Sequence, residues 1–304
     1  MDNALIAIFA LLLNAALGGP RSFYEATNLV RIGRIPAKLL RDRESRFNQP
    51  GRQILLIAYA LFAAFAIGVL LHYTLKGDLK FVEIAILALL LPVRPTFERA
   101  FRIYAALRAG NVLAAKQTLE GTVWKHHILL DEHGVARAAI ELIAVNFCEK
   151  ILNPLLWYLL FGLPGFLVCR TISLLKESLP FSFSAATHID QLLLKFPALM
   201  LWISSRLASL LWVLSSVIFP NSNLDRTIEK FKAEAARAPS SSYILFTAAT
   251  VLGLSLGGST SAYVNTSWFG VGNPKAGWTG VKRALSIYGA VLVLVFIFLG
   301  LLLG

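Results

Sequence analysis

Long apolar runs alternate with short, strongly basic stretches along this chain of 304 residues. Ala4 to Leu17 is apolar and is followed by the turn Gly18-Gly19-Pro20. The residues ahead of it, Met1, Asp2 and Asn3, lack the positive charge that opens a secretory leader, so it reads as a retained first span. Ile54 to Leu71 is the cleanest run, uncharged and rich in Leu, Ala and Ile, with His72 marking its end. Phe81 to Leu91 is shorter and is stopped by Pro92, Arg94 and Pro95, the prolines because they lack a donor and the arginine because it prefers water. Ile151 to Cys169 is apolar but interrupted by Gly162-Leu163-Pro164-Gly165, which removes a helix hydrogen bond and adds two flexible points. That pattern predicts a break at Leu163-Pro164 and a broken or re-entrant segment covered by protein. Phe196 to Phe219 is long enough to span, Tyr243 to Tyr263 is moderately apolar and ends in small residues, and Leu285 to Leu303 is the last clear run. Since ~20 apolar residues cross a bilayer as a helix, the first, second, Phe196 and last runs read as clear spans and the other three as less clear.

Between the runs lie wet segments at 18–52, 94–150 and 220–242. Residues 21–52 carry eight basic residues (Arg21, Arg31, Arg34, Lys38, Arg41, Arg43, Arg46, Arg52) against Glu25, Asp42 and Glu44. Residues 94–150 carry eight more, whereas the connection from Thr74 to Lys80 has two. Lys and Arg concentrate in cytoplasmic loops, so both rich segments are expected in the cytoplasm. Phe97, Phe101, Tyr104, Ala105 and Leu107 recur at helical spacing with arginines between them, predicting an amphipathic helix from Thr96 to Ala109 capped by Thr96 and closed by Gly110. A second helix is expected from Val135 to Glu149, and a charged soluble one over 222–237. The fold class that follows is all-α: a polytopic membrane helical bundle forming a single integral domain over 1–304, with amphipathic cytoplasmic helices.

Composition agrees. Residues of the AVILMFWYC set make up 57% of the chain and charged residues 15%, against ~25% charged in an average soluble domain. The net charge of +12 is accounted for chiefly by orientation and by contact with anionic membrane lipid, not by nucleic acid. Cys148 and Cys169 have no second ligand at metal-site spacing and read as apolar fillers or free thiols. No Walker-type or Gly-x-Gly-x-x-Gly phosphate-binding loop is present. Arg206, inside an apolar run, is expected to face the bundle with a partner such as Glu83, or to snorkel to an interface beside Ser204-Ser205.

The order of several motifs resembles the adenosylcobinamide-phosphate synthase family, the CbiB/CobD membrane proteins of cobalamin biosynthesis. Gly18-Gly19-Pro20 stands where the family has Gly-Asp-Pro, and Leu129-Leu130-Asp131-Glu132 through Ala136-Arg137-Ala138-Ala139-Ile140-Glu141 resembles the stretch leading into its Ala-Glu-Asn, here Ala144-Val145-Asn146. Asn153-Pro154-Leu155-Leu156-Trp157, Gly162-Leu163-Pro164-Gly165 and Leu256-Gly257-Gly258 with Tyr263 follow in family order. The departures fall on the family's polar motifs. Gly19 and Val145 replace acids, Trp124-Lys125-His126-His127 stands for Gly-Arg-Asp-Thr, and Asp190 beside Gln191 is what remains of an Asp-Asp pair.

The resemblance implies joining the carboxylate of a corrinoid substrate to aminopropanol or its phosphate with ATP, and hence divalent metal such as Mg2+ on carboxylates with Arg or Lys on phosphates. The catalytic candidates are then Glu141, Asn146, Glu149 and Asp190, and the substrate-binding ones Lys125, His126, His127, Arg137 and Arg206. The acids could equally be salt-bridge partners, and Lys125-His126-His127 with Asp131 and His133 could be a metal site, a solvated loop or a phosphate contact. The alternative to an enzyme is a non-catalytic, AmpE-like member of the same superfamily that binds a protein partner or lipid. The resemblance further implies a bacterial inner-membrane location, and a re-entrant Ile151 to Cys169 would bring Glu149 and Arg170 to one membrane face as a charged rim. Reporter fusions are expected to place residues 21–52 and 94–150 in the cytoplasm; a fusion active outside at either segment overturns that topology.

Overall fold

The computed structural model describes residues 2–18, 50–75, 79–119, 130–178, 188–217, 240–258, 268–270 and 272–303. In chain order the elements are α1 (Asn3–Leu17), α2 (Pro50–Thr74), α3 (Lys80–Leu90), α4 (Val93–Arg108), α5 (Val112–Leu119), α6 (Glu132–Asn146), a π-helical turn (Phe147–Leu152), α7 (Asn153–Ser178), α8 (His188–Ser216), α9 (Ser240–Leu252), β1 (Leu256–Gly257), β2 (Trp268–Phe269) and α10 (Trp278–Leu301). The protein is an all-α membrane helical bundle with almost no strand. Among the described residues four stretches are long and apolar enough to cross a membrane: Ile57–Thr74, Glu132–Leu175, Leu199–Ser216 and Trp278–Leu301. α1 has 15 residues, about 22 Å at ~1.5 Å each, short of a ~30 Å hydrocarbon core. The charged helix expected over 222–237 and most of the basic segment 18–52 lie outside the described residues.

The chain divides into two compact units, one formed by Met1–Pro92 and Lys150–Met200, the other by Val93–Glu149 and Leu201–Leu302. In the first, α1 packs along α3, and the buried Asn14 amide donates to the Ala88 carbonyl at 2.7 Å. Glu83 of α3 is buried and accepts the Tyr158 hydroxyl at 2.9 Å, so a carboxylate inside an apolar layer has a donor. α2 packs against α7, with Leu61, Trp157, Val168, Cys169, Ile172 and Met200 in one cluster.

α7 is a hairpin. Gly162 takes a non-helical backbone (φ 65°, ψ −153°) that a side chain rarely adopts, and the chain doubles back there. The Asn153 amide donates to the Cys169 sulfur at 3.1 Å, whereas sixteen residues of straight helix would separate them by ~24 Å. Asn153 Oδ1 accepts from the Trp157 indole at 3.1 Å, so one side chain ties the arms together and supports its own arm. Close approach is needed at two further places: a Cβ on Gly165 would lie 2.5 Å from the Trp157 carbonyl oxygen, and one on Gly68 of α2 the same distance from Pro164 Cα. The predicted break in this segment is present, with the pivot at Gly162 instead of Leu163-Pro164. α2 covers the pivot, while Leu160 and Phe161 at the tip are exposed.

The second unit is built on α6. Every residue of α6 from Gly134 to Asn146 except Arg137 is buried, so the last part of the segment expected to be wet is a core helix surrounded by α4, α5, α9 and α10. Asp131 caps it by accepting from the Gly134 N–H at 2.7 Å. α4 begins at Val93, three residues ahead of the expected cap. Pro95 sits in its first turn, where no donor is required, and Thr96 is buried instead of capping. Gly110 (φ 72°) closes it as expected. The predicted span from Tyr243 to Tyr263 is corrected: α9 ends at Leu252, Gly253 takes a left-handed backbone, and the chain leaves the helix for β1, which pairs antiparallel with β2. Tyr288 Oη of α10 donates to the Val93 carbonyl at 2.8 Å, and its ring meets Phe147 edge-on.

The hairpin predicts a labelling pattern. In a background with Cys148 and Cys169 replaced by Ser, single cysteines in place of the partly exposed Lys150 and Thr171 are expected to react with an impermeant reagent from the same side of the membrane. Reaction from opposite sides would show that α7 runs straight through.

Candidate functional site

α6 presents His133, Arg137 and Glu141 at successive helical turns, so they share one face. All three reach the segment that follows α9. His133 Nδ1 lies 2.7 Å from the Ala276 carbonyl, and because a carbonyl only accepts, the imidazole carries its proton there. Arg137 donates to the Pro274 carbonyl and sets its guanidinium 5.3 Å from the centre of the Trp268 ring. Glu141, 1% exposed, accepts the Gly257 N–H at 2.8 Å.

The described parts of this segment are tied together by hydrogen bonds from Ser255, Gly253 and Asn273. Ser255 Oγ lies 2.8 Å from the Gly272 carbonyl and 3.2 Å from that of Gly270, and the Ser255 and Asn273 N–H groups bond across to Asn273 and Gly253. Gly258 has φ 84°, and a Cβ there would press into the Trp268 ring at 2.8 Å. The Leu256-Gly257-Gly258 motif is thus explained by packing: one glycine offers its N–H to Glu141, and the next leaves room for an indole. Sequence reasoning nominated Glu141 and Arg137 as catalytic and substrate-binding groups, and the structure gives each a docking contact. It missed Trp268 and Pro274, whose partners stand more than 130 positions away with no local signal.

Asn146 ends α6. It is buried, and its Oδ1 has no hydrogen-bond partner among the described residues. A buried amide oxygen left without a donor costs on the order of 1–3 kcal/mol, so its retention at this position calls for a ligand or a functional reason. The backbone widens into the π-turn immediately after it, a distortion that recurs at functional sites. Glu149 lies in that turn, partly buried. Asp190 is in the first turn of α8, its side chain outside the described residues, as are Lys125, His126 and His127 entirely.

Arg206 is half-buried. It donates to the Trp202 carbonyl one turn back at 3.1 Å and lies over two aromatic rings, 4.1 Å from that of Trp202 and 5.0 Å from that of Tyr243. The cation is stabilised by π faces, while the suggested partner, Glu83, is engaged with Tyr158.

A divalent cation of the kind the resemblance implies would need clustered carboxylates. Among the described residues no three His, Cys, Asp or Glu side chains come together, and Glu141 already holds a backbone N–H.

Comparison with known proteins gives a consistent result. A chain from Rhizobium meliloti (strain 1021) named cobalamin biosynthesis protein CobD is 29% identical over 178 residues, 56% of this chain and 54% of that one. One of the same name from Chromobacterium violaceum is 26% identical over 271 residues, 85% of this chain and 82% of the relative. A third, from Stutzerimonas stutzeri (strain A1501), is 30% identical over 207 residues, covering 65% and 67%. The match thus spans about half the length of the first relative and most of the second. No solved structure matches the chain. The CobD/Cbib protein family matches residues 7–288, nearly the whole bundle including α6, the α7 hairpin and the glycine motif at 256–258, and the chain belongs to that family.

Proposed function

We propose that the chain is an enzyme of cobalamin biosynthesis in the bacterial inner membrane that condenses a corrinoid carboxylate with aminopropanol or its phosphate. The observation that carries this reading is Asn146 Oδ1, a buried acceptor without a donor at the junction of α6 and the π-turn. An amide oxygen in that state suits an incoming group with N–H or O–H donors, which aminopropanol has at both ends. Orienting the amine against the carboxylate is the contribution asked of it. Arg137 and Glu141 act as positioning residues that hold Pro274 and Gly257 against α6. Family membership supports the pathway, and the apolar helices support the membrane setting.

Complementation of a strain lacking the synthase tests the reading, with restored cobalamin-dependent growth expected. Failure despite normal membrane insertion would favour the non-catalytic alternative. Asn146→Ala is expected to lower activity at least ~10-fold, about 1.4 kcal/mol, with thermal stability in detergent unchanged, whereas a parallel loss of stability would make Asn146 a structural cap. Glu141 separates differently. Glu141→Gln keeps an acceptor for Gly257 and is expected to preserve both stability and activity, while Glu141→Ala strands the buried N–H and costs roughly 1–3 kcal/mol of stability. Activity abolished in a stable Glu141→Gln variant would make the carboxylate itself catalytic.

A further inference from the structure

α4 carries an unusual outer face. Its buried side is formed by Val93, Thr96, Ala100, Ile103, Tyr104 and Leu107, yet Phe97 and Phe101, which flank that side, are exposed and stacked with ring centres 6.0 Å apart. The row continues from Phe101 to Tyr104 at 5.8 Å and from Tyr104 to Trp278 at 6.3 Å. Trp278 opens α10, where Lys282 stands one turn further along the same face with Arg283 beside it, both exposed. Beyond Arg283, residues 284–303 contain no charged side chain. Those 20 residues would measure ~30 Å as a helix, the thickness of a hydrocarbon core. The water interface on this side of α10 therefore falls at Trp278 to Arg283, and the aromatic row brings α4 to the same level.

Exposed cations flank the row. Arg102 and Arg108 are exposed on α4, Arg102 near the Glu98 carbonyl at 3.4 Å and Arg108 within 3.4 Å of the Tyr104 hydroxyl. The acid on this helix, Glu98, is occupied by Arg94 at 2.7 Å. Aromatic side chains at headgroup depth beside arginines and lysines that have no acidic partner among the described residues complement an anionic lipid surface. We propose that Phe97, Phe101, Arg102, Arg108, Lys282 and Arg283 form a binding surface for anionic phospholipid headgroups, holding α4 in the membrane interface beside the entry of α10. The two rings enter the acyl boundary and the four cations take the phosphates. A soluble anion would gain nothing from the exposed phenyl pair, which is why the lipid is the occupant argued here.

The test is displacement of a fluorescent phosphatidylglycerol from the intact, detergent-solubilised protein by unlabelled phosphatidylglycerol, phosphatidylcholine or inorganic phosphate. Phosphatidylglycerol is expected to compete at roughly tenfold lower concentration than phosphatidylcholine, and R102Q/R108Q to weaken it roughly thirtyfold, given about 1 kcal/mol for each of two basic residues near an anionic surface. R102K/R108K should retain binding, and F97S/F101S should weaken both lipids. Should R102Q/R108Q lower the melting temperature, K282Q/R283Q decides in its place with the same expected loss. Equal competition by the two lipids, unchanged binding in the stable glutamine variant, or displacement by inorganic phosphate as effective as by phosphatidylglycerol would overturn the proposal, the last by making the patch a site for a soluble anion.

Discussion

Backbone polar groups in an apolar layer have to find partners within the chain, since neither lipid nor a packed core supplies any. Helices do this locally, so the informative places are those where the chain departs from helix. It does so in the middle of α7 and after α9. At the first, Gly162 permits the turn, and Asn153 bridges the two arms through Cys169 and Trp157. At the second, a short pair of strands is docked by a charged face of α6, with Glu141 taking the Gly257 N–H and His133 and Arg137 supplying donors to Ala276 and Pro274. Both exceptions depend on polar side chains at fixed spacing and on glycines where a Cβ would collide.

This gives a physical account of motifs that composition alone leaves unexplained. Asn153-Pro154-Leu155-Leu156-Trp157 closes the hairpin, and Leu256-Gly257-Gly258 lets an amide meet Glu141 and leaves room for the Trp268 indole. Both are scaffold functions, and they persist here although acids present in the family pattern have become Gly19 and Val145. Asn146 belongs to another category. Its amide oxygen is buried at the end of a core helix without a donor among the described residues, a state that costs stability and that packing does not explain. Arg137 Nε, Trp212 Nε1, Ser215 Oγ and Ser242 Oγ are likewise buried without a partner among the described residues, and Asn146 is set apart from them by its place against the π-turn.

Charge is used in three ways. Glu141 and Glu83 are buried and matched by donors from the chain, Arg206 rests on the faces of Trp202 and Tyr243, and the cations of α4 and the start of α10 stay exposed beside aromatic rings. The first two remove the cost of taking charge out of water. The third keeps charge where a bilayer interface can use it.

Helical class, the apolar runs and the interruption near Pro164 were legible in the order of residues, because apolar periodicity, loop charge and helix-breaking residues are local properties. The amphipathic character of α4 and its closure at Gly110 were legible for the same reason. Other features came only from tertiary contacts: the pivot at Gly162, the end of α9 at Leu252, the burial of α6 and the start of α4 at Val93. A run of small and apolar residues looks alike whether it crosses lipid, packs in a core or precedes a turn, and only its neighbours distinguish these. The contacts of Arg137 and Glu141 were decided in the same way, since both partners lie over a hundred positions downstream, and the sequence alone does not distinguish a side chain that meets a backbone group from one that is left open.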